Sequence, residues 1–387
     1  MTRLVEAPID RSAAPPAIRV LHVAQPHAGG SLRVARDLAL DQLSRGWAVD
    51  IACNPDSELA GLTRDLGLEP RIWRAARSSG LTSLRETIDL GKLIRQLEPD
   101  VVHLHSAKAG LAGRLAARGD VATVYQPHAW SFEAADGLQR AAAIAWERWA
   151  TRWADAVVCV SEAELERGRQ VGIRSASSYI APNGVDLSRY PPASEGDRLA
   201  ARRELGIGPG AMAVIIGRIT KQKGQEDLLA AWPRVLARID DAQLAVIGDG
   251  SDLERLRSLS VRHVRFTGAR DDVATWLAAC DVCVVSSRWD AGSLVTLEAM
   301  ARSRPVIATD VGGMRAAIRD DAGAVVPVGA CDELAAAIVR RLEDPDLACR
   351  EGAVGRQRVE SEFDLSRSTE RIARIYGSVL DRRAGRA

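Results

Sequence analysis

The chain has 387 residues, 47% of them hydrophobic. At about 100–200 residues per domain, that is material for two cores rather than one. Its 52 basic and 51 acidic residues leave a net charge of +1, which argues against the broad cationic face that binding to nucleic-acid phosphates demands. Apolar runs never approach the roughly 18 uncharged residues of a membrane-spanning helix, and six cysteines in this length do not make a dense disulfide framework.

Residues 1–17 are polar, carry Pro8, Pro15 and Pro16, and have no apolar core of a secretory signal. They read as a flexible leader, and with the cysteine usage they lead to the expectation of a cytoplasmic protein. Short Val/Ile-rich runs then alternate with helical patterns, the mark of βαβ units and a parallel sheet. Strands are expected at 18–24, 48–53, 100–105, 122–126, 156–161 and 178–181, with helices among them at 31–45, 84–97 and 138–153. Pro191, Pro192, Gly196, Gly206 and Gly208 break the pattern across 182–209, which reads as a connection holding one short helix. A second strand series follows at 212–217, 243–248, 264–267, 282–286, 305–309 and 324–327. The expected class is therefore α/β, with domains at 18–187 and 205–364, a linker at 188–204, and a final helix at 365–382. Open α/β sheets bind ligands beyond the carboxyl ends of their strands, so two such sheets across a hinge would share a cleft. Cys280 and Cys283 form a C-x-x-C without a second Cys or His pair, and are read as buried, inert thiols.

Only four residues are lysine, and two of them fall in one loop, Gly217-Arg218-Ile219-Thr220-Lys221-Gln222-Lys223-Gly224. The loop leaves a strand and opens a helix, where backbone amides and cations converge on anions. Arg218 supplies a planar fork for phosphate oxygens and Lys223 a compact ammonium; a solvated basic turn is the plainer alternative. It is not a P-loop. Farther on, Ser293 is placed to cap a helix whose first amides, near Leu294 and Val295, would face an anion, with Gly292 permitting close approach. Glu298 and Asp290, eight residues apart, suit vicinal hydroxyls, since a carboxylate accepts two hydrogen bonds from a diol. Taken singly, Asp290 reads equally as a loop cap and Glu298 as a helix-face charge. Gly248-x-Gly250 lacks the third glycine of a dinucleotide fingerprint, which ranks a dehydrogenase last.

A strand ending Gly217-Arg218, followed by Lys223-Gly224 and then Asp290 and Glu298 before Ala299-Met300-Ala301, resembles the family-4 retaining glycosyltransferases of the GT-B fold. Pro182-Asn183-Gly184-Val185-Asp186, Val246-Ile247-Gly248-Asp249-Gly250, Phe266-Thr267-Gly268-Ala269-Arg270 and Asp310-Val311-Gly312-Gly313 fall in the family's order, over roughly residues 18–380. The resemblance implies two Rossmann-like domains facing a cleft, with 365–387 returning to the first. It implies a metal-independent hexosyl transfer with no cofactor, from a UDP- or GDP-linked sugar to a glycan, a lipid-linked or a small-molecule acceptor. Arg218 and Lys223 would hold the diphosphate, Glu298 the ribose, Asp290 and His128 the transferred hexose, and Arg270 would border the base. The family usually has Glu where this chain has Asp290, one methylene shorter.

In the first half, Gly29 and Gly30 lie between a strand and a helix, where backbone can approach a ligand or simply turn. His128 follows a strand, and packing alone would also account for a loop histidine there. Lys108, with Arg114, reads either as a site for an anionic acceptor or as a solvated helix face. Trp146, Trp149 and Trp153, beside Arg148 and Arg152, have the spacing of a helix stripe that is buried against the sheet or lies at the inner face of the plasma membrane. Two rivals remain at this level: a GT-B nucleotide-sugar epimerase and a noncatalytic nucleotide-sugar-binding subunit.

Overall fold

The computed structural model describes residues 18–76, 82–175 and 177–385. The leader expected at 1–17 lies outside them. Two parallel sheets stand side by side. The first contains β1 (Arg19–Ala24), β2 (Ala48–Cys53), β3 (Arg71–Ile72), β4 (Val101–His105), β5 (Ala122–Gln126), β6 (Ala156–Cys159) and β7 (Ser178–Ile180). The second contains β8 (Met212–Ile216), β9 (Gln243–Ile247), β10 (Val264–Gly268), β11 (Val282–Val285), β12 (Val306–Thr309) and β13 (Gly323–Val326). The twelve expected strands are present with ends shifted by a residue or two. β3 was not anticipated, because two residues are too short to show a period.

Strand order is β3-β2-β1-β4-β5-β6-β7 in one sheet and β10-β9-β8-β11-β12-β13 in the other. Each order reverses once, between β1 and β4 and between β8 and β11, and a crevice opens at such a switch point. Both sheet faces are covered by helices, so strands such as β11, Val-Cys-Val-Val, are buried throughout. The final helix, Leu365–Ala384, returns to the first sheet, where Ile372, Ile375, Tyr376 and Val379 pack on Val20, Val101 and Val124. Each such burial contributes about 1.5–3 kcal/mol.

The chain crosses between domains twice at one place. The Val185 amide donates to Phe363 O at 2.9 Å and the Leu365 amide to Val185 O at 3.1 Å. Gly184 is required there: a Cβ would stand 2.6 Å from the Leu365 Cα. The segment 188–204, expected as a linker, is folded onto the second domain. Its helix, Glu195–Leu205, starts with a Ser194/Asp197 capping box and ends at Gly206 in the left-handed region. Ala201 and Leu205 join the second core, and Arg202 is buried against Asp281 at 2.8 Å. Proline and glycine marked the helix ends; burial of its apolar face decided its owner.

Candidate active site

The loops that leave β1 and β6 meet those that leave β8 and β11 across the cleft. The loop after β8 begins at Gly217, φ +149°, and is pressed against the end of β9: a Cβ at Gly248 would lie 2.0 Å from Gly217 O. The Arg218 Nη2 donates to Gln222 Oε1 at 3.2 Å, and Gln225 Nε2 donates back to Arg218 O at 2.9 Å, so the loop holds its own shape. Opposite lies the Gly29–Gly30 turn after β1. A Cβ at Gly29, φ +132°, would be 3.6 Å from Arg218 Nε, and one at Gly30 would be 3.4 Å from Leu294 Cδ1. Both expected glycines therefore face the cation loop and the helix Leu294–Ala301.

Lys223 Nζ stands 2.6 Å from Asp290 Oδ2. Burial pushes the Asp290 pKa up, but the Lys223 charge, the Ala291 amide and the Ser287 hydroxyl overcome it and hold the carboxyl below its ordinary value. Ser293 occupies the N-cap position of Leu294–Ala301 yet makes no capping bond through its side chain. Gly292 serves an additional purpose, since a Cβ there would be 3.2 Å from Val160 of the first domain, and Gly292 O accepts from Asn183 Nδ2 at 2.9 Å. Glu298 is buried and pairs with Arg33 of the first domain at 2.8 Å, while its Oε2 has no partner. Arg33 was not legible: it is one of many arginines, on the helix Gly30–Ser44, and only the folded chain brings it 265 positions away.

The first domain lines its side with neutral rings. His128 and Ala129 follow β5 with φ of +52° and +90°, a strained pair for non-glycine residues. Glu164 holds them: its carboxylate accepts the Ala129 amide at 2.8 Å and the Val160 amide at 2.7 Å. Burial raises the Glu164 pKa to about 7, and Asp290 and Glu133 nearby add to it. The ring of His128 continues inward to His105, His22 and Gln42. Burial depresses these rings, His22 to about 4 and His103 and His105 well below the ordinary histidine value. An H-x-H pair on a strand puts both rings on one face, and that pattern at His103 and His105 was the available signal for this cluster.

Some expected ligands are elsewhere engaged. Lys108 is buried, with Nζ 2.7 Å from Glu86 and 2.8 Å from Ser83, joining the helix Ser106–Ala117 to Thr82–Leu97. Arg114 is fully buried, 2.8 Å from Glu147 and 4.0 Å above the Tyr125 ring. Neither is a solvated helix charge, because each cation is already matched by a buried carboxylate. Arg270 is exposed and paired with Asp272 at 2.6 Å. Trp146, Trp149 and Trp153 pack on one another, with Trp149 remaining 43% exposed. Cys280 and Cys283 are buried free thiols, the first pushed up to about 12 by burial.

Comparison with known proteins agrees with this geometry. Residues 28–189 match the model of Glycosyltransferase Family 4, and residues 210–344 that of Glycosyl transferases group 1. The GDP-mannose-dependent monoacylated α-(1-6)-phosphatidylinositol monomannoside mannosyltransferase of Corynebacterium glutamicum is 32% identical over 58% of this chain; the match spans 62% of that relative's own length. The glycogen synthase of Mycobacterium tuberculosis is 29% identical over 87% of this chain and 81% of its own. The fold superposes on Anabaena HepE in complex with UDP-glucose, with a TM-score of 0.82 at 21% identity, over 93% of this chain and 100% of that one. With a glycosyltransferase domain on either side of a cleft at the switch points of two parallel sheets, the chain belongs to the family-4 glycosyltransferases of the GT-B fold.

Proposed function

We propose that the enzyme is a retaining, metal-independent glycosyltransferase that uses a nucleotide diphosphate sugar, UDP- or GDP-linked. The observation that carries this reading is the convergence of Arg218, Lys223 and the uncapped start of Leu294–Ala301 opposite Gly29 and Gly30. A diphosphate seated there meets two cations and free amides, and charge that develops on it as the glycosidic bond breaks is stabilised without reorganisation. In this reading the acceptor hydroxyl bonds to the anomeric carbon on the face from which the diphosphate departs, and the hydroxyl proton passes to the departing phosphate oxygen. Donor binding draws Lys223 from Asp290, which turns to the sugar with His128. The unpartnered Glu298 Oε2 accepts from the ribose, and Arg270 borders the base.

The names of the relatives fit such a donor: one is GDP-mannose-dependent, and HepE was captured with UDP-glucose. The mannosyltransferase acts on a phosphatidylinositol mannoside, in keeping with a glycan, lipid-linked or small-molecule acceptor reached from the cytoplasm. No helix among the described residues is long and apolar enough to cross a membrane; the exposed Trp149 under Arg152 is the candidate for peripheral contact. The test is a thermal-shift screen against UDP, GDP and their sugars, since a ligand at a hundred times its Kd adds about 2.7 kcal/mol of stability. Product analysis with and without acceptor follows. One nucleotide family should raise the Tm and yield glycosylated product; turnover of the sugar without an acceptor, or binding without any turnover, would overthrow the reading.

A further inference from the structure

Three of the six histidines, His128, His105 and His22, form a hydrogen-bonded file that begins at the cleft and ends at Gln42. His22 on β1 and His103 on β4 are register partners, and His105 lies two residues on, so parallel pairing stacks three rings on one sheet face. His128 Nε2 lies 3.1 Å from His105 Nδ1. His105 Nε2 lies 2.9 Å from His22 Nδ1, and His22 Nε2 lies 2.8 Å from Gln42 Oε1. The hydroxyl of Tyr376, on the returning helix, lies 2.6 Å from His103 Nδ1. Imidazole has two inequivalent nitrogens, and in the neutral ring one donates while the other accepts. A file of neutral rings therefore has a direction, and one fixed group at its end sets every tautomer.

We propose that Gln42, acting through His22 and His105, fixes His128 as the tautomer with its proton on Nε2, so that Nδ1 meets the donor sugar as a hydrogen-bond acceptor. The amide oxygen of Gln42 takes the proton side of His22 Nε2. His22 Nδ1 is then a lone pair and receives His105 Nε2–H; His105 Nδ1 in turn receives His128 Nε2–H. Every link has one donor and one acceptor. Burial keeps the rings neutral, which is what gives the file a direction, because an imidazolium would donate from both nitrogens. His105, His22 and Gln42 are positioning residues: they touch no substrate and act through the histidine that does. The inference rests on the proposed reading that His128 contacts the donor sugar, but the tautomer itself is a property of the free enzyme.

The three nitrogens of His22, His103 and His105 lie within 4.8 Å of one another, a spacing open to a metal ion as well. Two of the bonds above already occupy His22 Nδ1 and His105 Nε2, and the His103 and His105 rings stack at 4.1 Å rather than aiming at one point. The relay is therefore the reading that the geometry favours.

The experiment is nitrogen-15 NMR of the full chain with labelled histidine at pH 7.5, with the exposed His27 and His263 substituted to simplify the spectrum. His128 should show a protonated Nε2 and a bare Nδ1. His105→Leu should release that preference, while His105→Asn, whose side-chain oxygen takes the place of Nδ1, should retain it. Transfer should follow the tautomer: His105→Leu lowers kcat about tenfold, the loss of roughly one hydrogen bond, and His105→Asn recovers most of it. A wild-type His128 protonated on Nδ1 means that the Gln42 amide is turned over and the file runs backward, which overturns the proposal; so does stoichiometric zinc in the purified enzyme. Both are read on wild-type protein, so they decide the matter even where a variant fails to fold. A correct tautomer in an enzyme that turns over no nucleotide sugar would uphold the relay and reject the proposed function instead.

Discussion

The two walls of the cleft handle charge in opposite ways. On the second domain, Arg218 and Lys223 stand on a loop at the crevice, with their partners, Gln222 and Asp290, inside the site itself. On the first domain, Lys108 and Arg114 follow a neighbouring strand of the same kind but are sealed against Glu86 and Glu147, and what reaches the cleft beside Arg33 is an uncharged histidine file. A cation near solvent can exchange its partner for a ligand, whereas a buried one cannot leave its carboxylate without stranding both charges. Position in the fold, rather than residue type, therefore separates cations open to a ligand from structural ones.

That contrast can be broken where its effect is largest. Arg114→Ala leaves Glu147 buried without its partner, and chemical denaturation should show a loss of about 3–5 kcal/mol, with donor affinity unchanged in the folded fraction. A loss under about 0.5 kcal/mol, the range of an ordinary surface change, would erase the distinction between the walls. Arg218→Ala and Lys223→Ala should do the reverse. Each should lower kcat roughly 10²- to 10³-fold, the scale for removing one electrostatic contact to a developing charge, and leave the unfolding midpoint nearly untouched. Near-normal transfer in both variants would remove these residues from the chemistry.

The histidine file sharpens the comparison through pH. Its rings have depressed pKa values in the folded state, so the unfolded chain binds more protons below its ordinary histidine value of about 6.5. Stability that is fully present above pH about 6.5 should decline as pH falls toward 4, by up to about 1.4 kcal/mol per pH unit for each excluded proton. Glu164, raised to about 7, works with the opposite sign and contributes stability that is lost as pH rises. Calorimetry of wild type and Glu164→Gln should show a steeper acid-side decline in the variant; identical profiles would mean that Glu164 titrates normally. The smallest effect is expected at the Arg33–Glu298 ion pair, which joins the walls. A double-mutant cycle of Arg33→Met and Glu298→Gln on nucleotide affinity should give a coupling of about 0.5–3 kcal/mol, and none if the pair is incidental.

Both sheets, their parallel sense and the loops that carry the second-domain cluster were legible, because each depends on neighbours within about ten residues: strand periodicity, a glycine at a turn, two lysines in one loop. The linker misled because proline and glycine report where helices stop, not which core receives their faces. Lys108 misled because a helix position shows whether a charge exists and not what the next helix presents to it. Arg33 and Glu164 were out of reach for a related reason, and of the histidine file only His128 and the H-x-H pair on β4 were visible.

The sequence by itself determined the α/β class, the two-domain division and the basic and acidic groups of the second-domain loops, since these follow from local pattern and backbone chemistry. The tertiary structure decided which charges are buried and therefore fixed to a partner, which imidazoles stay neutral, and which residues meet across the cleft. Those properties depend on desolvation and on contacts between segments as far apart as Arg33 and Glu298, and neither quantity is written in the order of residues along the chain.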